Sequence, residues 1–315
     1  MLQSMAERAD NTGSTVIPEA LAGERVDRIV AMVTGCSRAE AADAISAGHV
    51  RLDDVVLTTR SVRVQQGQVV EIDTDPLRPE ELPQADPSVL LEIVHVDDDV
   101  IVIDKAAGQI VHPGAGHTDS TVVSGLLALF PDLVDVGESH RPGIVHRLDK
   151  GTSGLMVVAR TAHAYEHLVD LLSTHAVQRR YRTLVWGQVE ADRGTIDAPL
   201  GRSRRDPLRM TVATDGRASR THYEVLARHA QPAEMSSLEV SLETGRTHQI
   251  RVHLTSIGHA VVGDPTYGRR SEVLGLDRPF LHAAELSFVH PGTGEQVVFH
   301  SALPADLQQA LAQVS

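Results

Sequence analysis

Aromatic residues are scarce in this chain, only 3% of its 315 residues, so its core must be built mainly from Val, Leu, Ile and Ala. A single cysteine, Cys36, excludes an internal disulfide framework and fits a reducing compartment. No apolar run approaches the roughly 20 residues that span a bilayer. Met1-Leu2-Gln3-Ser4-Met5-Ala6-Glu7 has neither a basic start nor an apolar stretch, so it is not a secretory signal. A cytoplasmic protein with no membrane partner is expected. There are 17 histidines; His248 and His253, five apart, would lie on different helix faces, which fits a two-ligand metal pair poorly. Asp97-Asp98-Asp99 lacks the ligand spacing of a calcium loop and reads as a solvated turn. No metal is expected. Neither a 20–50-residue repeat nor regular strand–helix alternation is present, which argues against a solenoid and against a Rossmann-type sheet.

What is present is an ordinary globular composition, 42% hydrophobic and 23% charged. The net charge of −13 is unevenly spread. Residues 1–100 carry 8 arginines against 19 acids, whereas residues 141–182 and 201–228 each carry 7 basic residues against 3 acids. Screening limits charge effects to about 8–10 Å at physiological salt, so an acidic protein can present a basic cleft, and these two stretches are expected to form an anion-facing surface.

Residues 1–17 are polar and read as a disordered tail. From 18 to 75, Val26, Ile29, Val30 and Val33 make one helical stripe. Ser37 caps a second helix, Arg38 to Ala47, that ends at Gly48. Val50-Arg51-Leu52 and Val55-Val56-Leu57 flank a turn at Asp53-Asp54, and Val69–Ile72 is a further strand. Pro76, Pro79, Pro83 and Pro87 mark a stiff linker over 76–88. A larger domain is expected over 89–305, followed by a tail from 306 to 315. Its strands are read around 93–96, 100–105, 110–112, 143–145, 155–159, 179–187, 221–226 and 237–242, with helices from Ser120 to Phe130 and after Thr161. The expected class is α+β, a mainly antiparallel mixed sheet with a small N-terminal α/β module.

The most informative stretch is His146-Arg147-Leu148-Asp149-Lys150-Gly151-Thr152-Ser153-Gly154, which sets one carboxylate between two cations ahead of a turn of small residues. Lying between apolar runs, it is read as a loop joining two buried strands, where a rigid scaffold commonly places catalytic groups. Arg147 and Lys150 would favour the ionised carboxylate. Such a group can serve as nucleophile, general base, metal ligand or ion-pair partner. A second charged run, Thr244-Gly245-Arg246-Thr247-His248-Gln249-Ile250-Arg251-Val252-His253-Leu254, reads as a helix capped by Thr247, with His248 and Arg251 sharing a face. Arg251 offers a planar, permanently charged fork that could hold a carboxylate in one orientation.

Residues 18–75 resemble the S4-like RNA-binding module through Arg25-Val26-Asp27-Arg28, Ser37-Arg38-Ala39-Glu40-Ala41, Ile45, Gly48-His49-Val50 and Gly67. They depart from it at Asp53-Asp54 and Gln68, where asparagine, glycine and aspartate are usual. From about 91 to 304 the chain resembles the RluA-type pseudouridine synthases, most closely their RluD/RluC branch. The resemblance rests on His146-Arg147-Leu148-Asp149 with Thr152-Ser153-Gly154 and on Gly245-Arg246-Thr247-His248-Gln249-Ile250-Arg251-Val252-His253. Lys105, Val111-His112-Pro113-Gly114, Gly263-Asp264-Tyr267-Gly268 and Leu281-His282-Ala283 support it, while Ala106 stands where proline is usual.

The resemblance implies that Asp149 is the nucleophile that lets uridine's base leave the ribose, turn and rejoin through carbon. It makes Arg251 the basic partner of Asp149, and Tyr181 a ring stacked on the base that can help move a proton. Arg147 would extrude the nucleotide, Leu281 would line the pocket, and His146, Thr152 and Arg246 would contact substrate. No cofactor is implied, because the reaction is an isomerisation. The expected partner is large-subunit ribosomal RNA, acted on by a monomer. Transfer RNA as target, a non-catalytic ribosome-assembly factor on the same fold, and a glycoside hydrolase are the alternatives. The last would need a second carboxylic acid near Asp149.

Overall fold

The computed structural model describes residues 12–73, 82–112, 120–206, 209–268 and 274–315. The chain divides into two compact units, residues 1–81 and 82–315. The boundary falls within the expected linker, whose residues 76–81 lie outside the described ones. Beyond the boundary, Asp86 N–H donates to Ser124 O (2.9 Å) and Ser120 Oγ donates to Asp86 Oδ2 (3.0 Å), so this part is tied to the second unit.

In the first unit, helices α1 (Val26–Thr34) and α2 (Arg38–Ser46) accompany strands β1 (Thr12–Val16), β2 (Val50–Leu52), β3 (Val55–Leu57) and β4 (Val69–Asp73). The expected stripe of α1 is buried at Val26, Ile29 and Val30, in one cluster with Ile45, Val50, Val70 and Ile72. Ser37 and Glu40 form a reciprocal capping box that starts α2. Asp53 and Asp54 both adopt left-handed backbone, as a two-residue hairpin requires. The Asp53 carboxylate accepts from Gln68 Nε2 and Val69 N–H, both at 2.8 Å, so its side chain ties down the turn. One expectation is corrected here. The tail read over 1–17 is not disordered at its end, because β1 pairs antiparallel with β4 from Thr12↔Asp73 to Val16↔Val69. Backbone bonds hold this polar edge strand, and Ile17 anchors it in the core. Residues 1–11 lie outside the described ones.

The second unit holds strands β5 (Glu92–Val96), β6 (Val100–Lys105), β7 (Ser153–Ala159), β8 (Gln178–Trp186), β9 (Arg193–Asp197), β10 (Leu200–Arg202), β11 (Met210–Val212), β12 (Arg220–His229), β13 (Met235–Leu242), β14 (Leu281–Val289) and β15 (Gln296–His300). Its helices are α3 (Val122–Leu129), α4 (Ala162–Ser173), α5 (Gln249–Ser256) and α6 (Ala305–Leu311). Among the described residues, nine strands form one sheet in the order β5-β6-β7-β14-β8-β13-β12-β9, with β15 on β14; β10 and β11 pair separately. Every pairing in the large sheet is antiparallel except β7 with β14. This is the mixed, mainly antiparallel α+β fold expected. β6 and β7 are buried almost throughout, which explains their unbroken Val and Ile runs.

Three local readings differ. Gly143–Val145 forms no strand, only an isolated bridge from Ile144 to Val158, so the Asp149 loop has a strand on one side alone. Ile110–His112 also forms no strand, and Pro113-Gly114 lies outside the described residues. The tail read over 306–315 contains most of α6, with Leu307, Ala310 and Val314 buried against Leu184, Val262 and Phe280.

The parallel β7–β14 pairing begins at the end of the Asp149 loop, at His282↔Ser153 and Ala283↔Gly154. Gly154 has φ +114, and a Cβ there would lie 2.3 Å from Ala283 O. Gly154→Ala is therefore expected to destabilise the unit by roughly 3 kcal/mol or more. An equilibrium urea titration showing an unchanged midpoint would contradict this.

Candidate active site

The loop delivers Asp149 to a cavity of about 340 Å³, within the range of small-ligand sites. A turn bond from Thr152 N–H to Asp149 O (3.0 Å) fixes its backbone. From 102 residues further along, Arg251 reaches it, with Nη1 donating to Asp149 Oδ2 at 3.0 Å. Among the described residues none donates to Asp149 Oδ1. The other edge of the guanidinium is spent on Asp264, Nε to Oδ2 at 2.6 Å and Nη2 to Oδ1 at 2.9 Å. Asp264 is fully buried and also accepts from Thr266 and Tyr267 N–H. Burial works against charge on both partners. The hydrogen bonds from Arg251 nevertheless hold the Asp264 carboxyl below its usual range, while those to Asp264 and the charge of Asp149 raise Arg251. Both stay ionised.

The start of α5 also departs from expectation. His248, not Thr247, occupies the N-cap, in left-handed backbone and without a side-chain cap bond. That conformation turns the imidazole toward Asp149, with Nε2 4.0 Å from Oδ2. Met210 N–H donates to Tyr267 Oη (2.8 Å), and His248 Nδ1 lies 2.8 Å from the same oxygen. Burial lowers the His248 pKa even though Asp149 opposes the fall. Burial thus favours the neutral ring beside the carboxylate.

All eight residues expected at the site line this one cavity: Asp149, Arg251, Tyr181, Arg147, His146, Thr152, Leu281 and Arg246. Tyr181 and Leu281 are buried in its wall. Burial raises the Tyr181 pKa, and Asp149 adds to the rise while Arg179 opposes it, so the hydroxyl stays protonated. Arg147 lies exposed and donates to His112 Nε2 (3.1 Å). That ring is held neutral, its pKa pushed down to about 4 by burial and then by Arg147. His146 uses Nε2 to accept from Val157 N–H (3.1 Å), and burial pushes its pKa to about 3. It thus props the loop. Arg246 is exposed, and its Nε makes a long bond to Ala218 O (3.4 Å). Thr152 is buried beneath the loop.

Lys105 Nζ donates to Ala106 O (2.9 Å) and Gln109 O (3.0 Å), and burial pushes its pKa down to about 7 against the pull of Asp149. The basic excess in 201–228 is largely answered locally, by Arg204–Asp215, Arg209–Asp206, Arg220–Asp197 and Arg228–Asp192 pairs. The anion-facing surface expected there is thus mostly exposed ion pairs, each contributing little to stability. Among the described residues, no group of three His, Cys, Asp or Glu side chains is arranged to hold a metal, and no helix is long and apolar enough to cross a membrane.

Residues 99–256 match the family described as RNA pseudouridylate synthase, and residues 24–70 match the S4 domain. An uncharacterized RNA pseudouridine synthase of Chloroflexus aurantiacus is 47% identical, over 95% of this chain and 92% of the relative. The chain belongs to the RNA pseudouridylate synthase family. The synthase is also 39% identical to the ribosomal large subunit pseudouridine synthase D of Zymomonas mobilis, over 94% of this chain and 96% of that one. Among solved structures, human RNA pseudouridylate synthase domain containing 1 superposes with a TM-score of 0.56 at 28% identity, over 69% of this chain and 84% of that one.

The sequence pattern pointed to Asp149 as nucleophile and Arg251 as its basic partner, and left His112, Arg179, Tyr267 and Asp264 without roles. Gly263-Asp264 did carry a signal, since an aspartate beside a glycine of positive φ (+75) makes a tight bend that fixes its carboxylate.

Proposed function

We propose that this pseudouridine synthase modifies uridines of large-subunit ribosomal RNA, with Asp149 as nucleophile. The observation that carries the mechanism is the end-on contact between Arg251 and Asp149 Oδ2, which fixes the orientation of the carboxylate and leaves Oδ1 open to the cavity. A base must leave its stack to reach such a pocket, at a cost of a few kcal/mol. Exposed Arg147 and Arg246 at the cavity can hold the backbone, and the Tyr181 ring and Leu281 can receive the base. Asp149 then bonds to C1′ as the N1–C1′ bond breaks, and the bonding pair leaves with the uracil. The ring turns, C5 bonds to C1′, and the electrons of the Asp149–C1′ bond return to the carboxylate. C5 loses a proton and N1 gains one. Atoms and oxidation state are conserved, so the reading requires no cofactor.

The names of relatives in Zymomonas mobilis and Pseudomonas aeruginosa support the choice of RNA, as does the S4 match. Pseudouridine mapping in a strain lacking the protein is expected to show discrete uridines in large-subunit RNA left unmodified. An unchanged large-subunit pattern with losses confined to transfer RNA would refute the target.

A further inference from the structure

Arg179 lies on β8 two residues before Tyr181 and faces the same side of the sheet, about 7 Å along the strand. It is only 7% exposed and lines the Asp149 cavity. Its one hydrogen bond among the described residues is a long one, Nη2 to Glu243 O at 3.4 Å, and its buried Nε has no partner. Among the described residues no carboxylate pairs with it: Glu243, whose carbonyl it reaches, is committed to Arg220 and His222. Buried cations elsewhere in the unit are answered. Arg251 has Asp264, Arg278 is held by both oxygens of Asp306, and Lys105 is capped by carbonyls. A buried charge without a counter-ion is costly to a fold, so a partner that arrives with the substrate is the economical account. Gly245 makes room for this cation, since a Cβ there would sit 2.7 Å from Arg179 Nη1.

We propose that Arg179 is a further catalytic residue, whose guanidinium holds the negative charge that gathers on the uracil oxygens once the N1–C1′ bond has broken. The inference rests on the Asp149 reading above. When Asp149 displaces the base, the bonding pair leaves with the ring, and the resulting anion spreads over N1, O2 and O4. With Tyr181 across one face of that ring, a group one pleat along the strand meets its edge, where the oxygens lie. The charge returns to Asp149 when C5 closes on C1′, so Arg179 is left unpaired again and no proton is exchanged with it. Groups placed where charge develops in a dry pocket act on the rate rather than on ground-state binding.

Single-turnover release of tritium from [5-³H]uridine-labelled large-subunit ribosomal RNA at saturating enzyme separates the possibilities, with RNA binding measured by filter retention. Arg179→Met is expected to slow the rate by about 100-fold or more, with RNA binding unchanged and a melting temperature no lower than that of the wild type. Arg179→Lys should fall between. Gly245→Ala keeps the charge but displaces it, and should also slow the rate without weakening binding. An unchanged rate in Arg179→Met and Gly245→Ala would overturn the inference. So would weakened RNA binding with an undiminished saturating rate, which would mark a backbone phosphate contact. If Asp149→Asn releases tritium as fast as the wild type, the nucleophile reading fails and this inference with it. An inactive Asp149→Asn beside a fully active Arg179→Met would sink the Arg179 role alone.

Discussion

Asp149→Asn is expected to lower pseudouridine formation by at least about 10⁴-fold, the scale on which removal of a nucleophile acts, while leaving the fold intact. The second half follows from how Arg251 is held. Its Nε and Nη2 remain on Asp264 when the charge at 149 is lost, so no buried cation is stranded. Asp149 is itself partly exposed, and an asparagine oxygen can still accept from Nη1. Thermal unfolding should therefore shift by no more than a few degrees. Asp149→Glu adds the decisive comparison. It restores the charge and the reach to Arg251 but moves the attacking oxygen by one methylene, and positional error of that size is severe for a bonded step. A nucleophile predicts that Glu is nearly as inactive as Asn. A structural ion pair predicts that Glu restores function. Recovery of activity with Asp149→Glu, or a wild-type rate with Asp149→Asn, would remove Asp149 from the chemistry.

The parts of this fold legible in the sequence are those set by local patterns. Ser37 and Glu40, three apart, announce the start of α2 and do cap it, and the Val and Ile runs of β6 and β7 record burial on both faces. The nine-residue loop was legible as a site because its charges cannot be explained by packing. The misreadings have a common origin in long-range context. Thr247 has the chemistry of a cap, yet the chain needs a left-handed residue at 248 to turn His248 inward, so the helix starts one residue later. β1 has no apolar alternation because an edge strand is held through its backbone. Leu307, Ala310 and Val314 do follow a helical spacing, but a stripe this short stands out only once Leu184 and Phe280 are known to face it. Arg179 escaped notice for a related reason. A cation next to Arg180 and Arg182 looks like surface charge until burial shows that it alone of the three is inside.

Asp264→Asn is expected to damage stability and catalysis together, and the division between the two is informative. The carboxylate is fully buried, accepts from both nitrogens of one edge of a guanidinium fork, and caps two backbone N–H groups. An amide of the same shape keeps one acceptor but turns an NH₂ toward Arg251, leaving a buried cation half answered. Breaking one side of a buried pair costs about 3–5 kcal/mol, which in a unit of this size lowers the melting temperature by roughly 6–20 °C. The catalytic loss has a separate cause. Asp264 saturates Nε and Nη2 and so restricts Arg251 to a single end-on donor for Asp149. Released from that clamp, the fork can close on both oxygens of Asp149, tying up the Oδ1 that must attack. Activity measured well below the lowered melting temperature, where the variant is still folded, should remain down by about 10²-fold or more, as for the loss of a preorganised charged group, and RNA affinity should not change. A variant that melts early but turns over normally when folded would show that Asp264 serves the fold alone, and that Arg251 finds its end-on geometry without it.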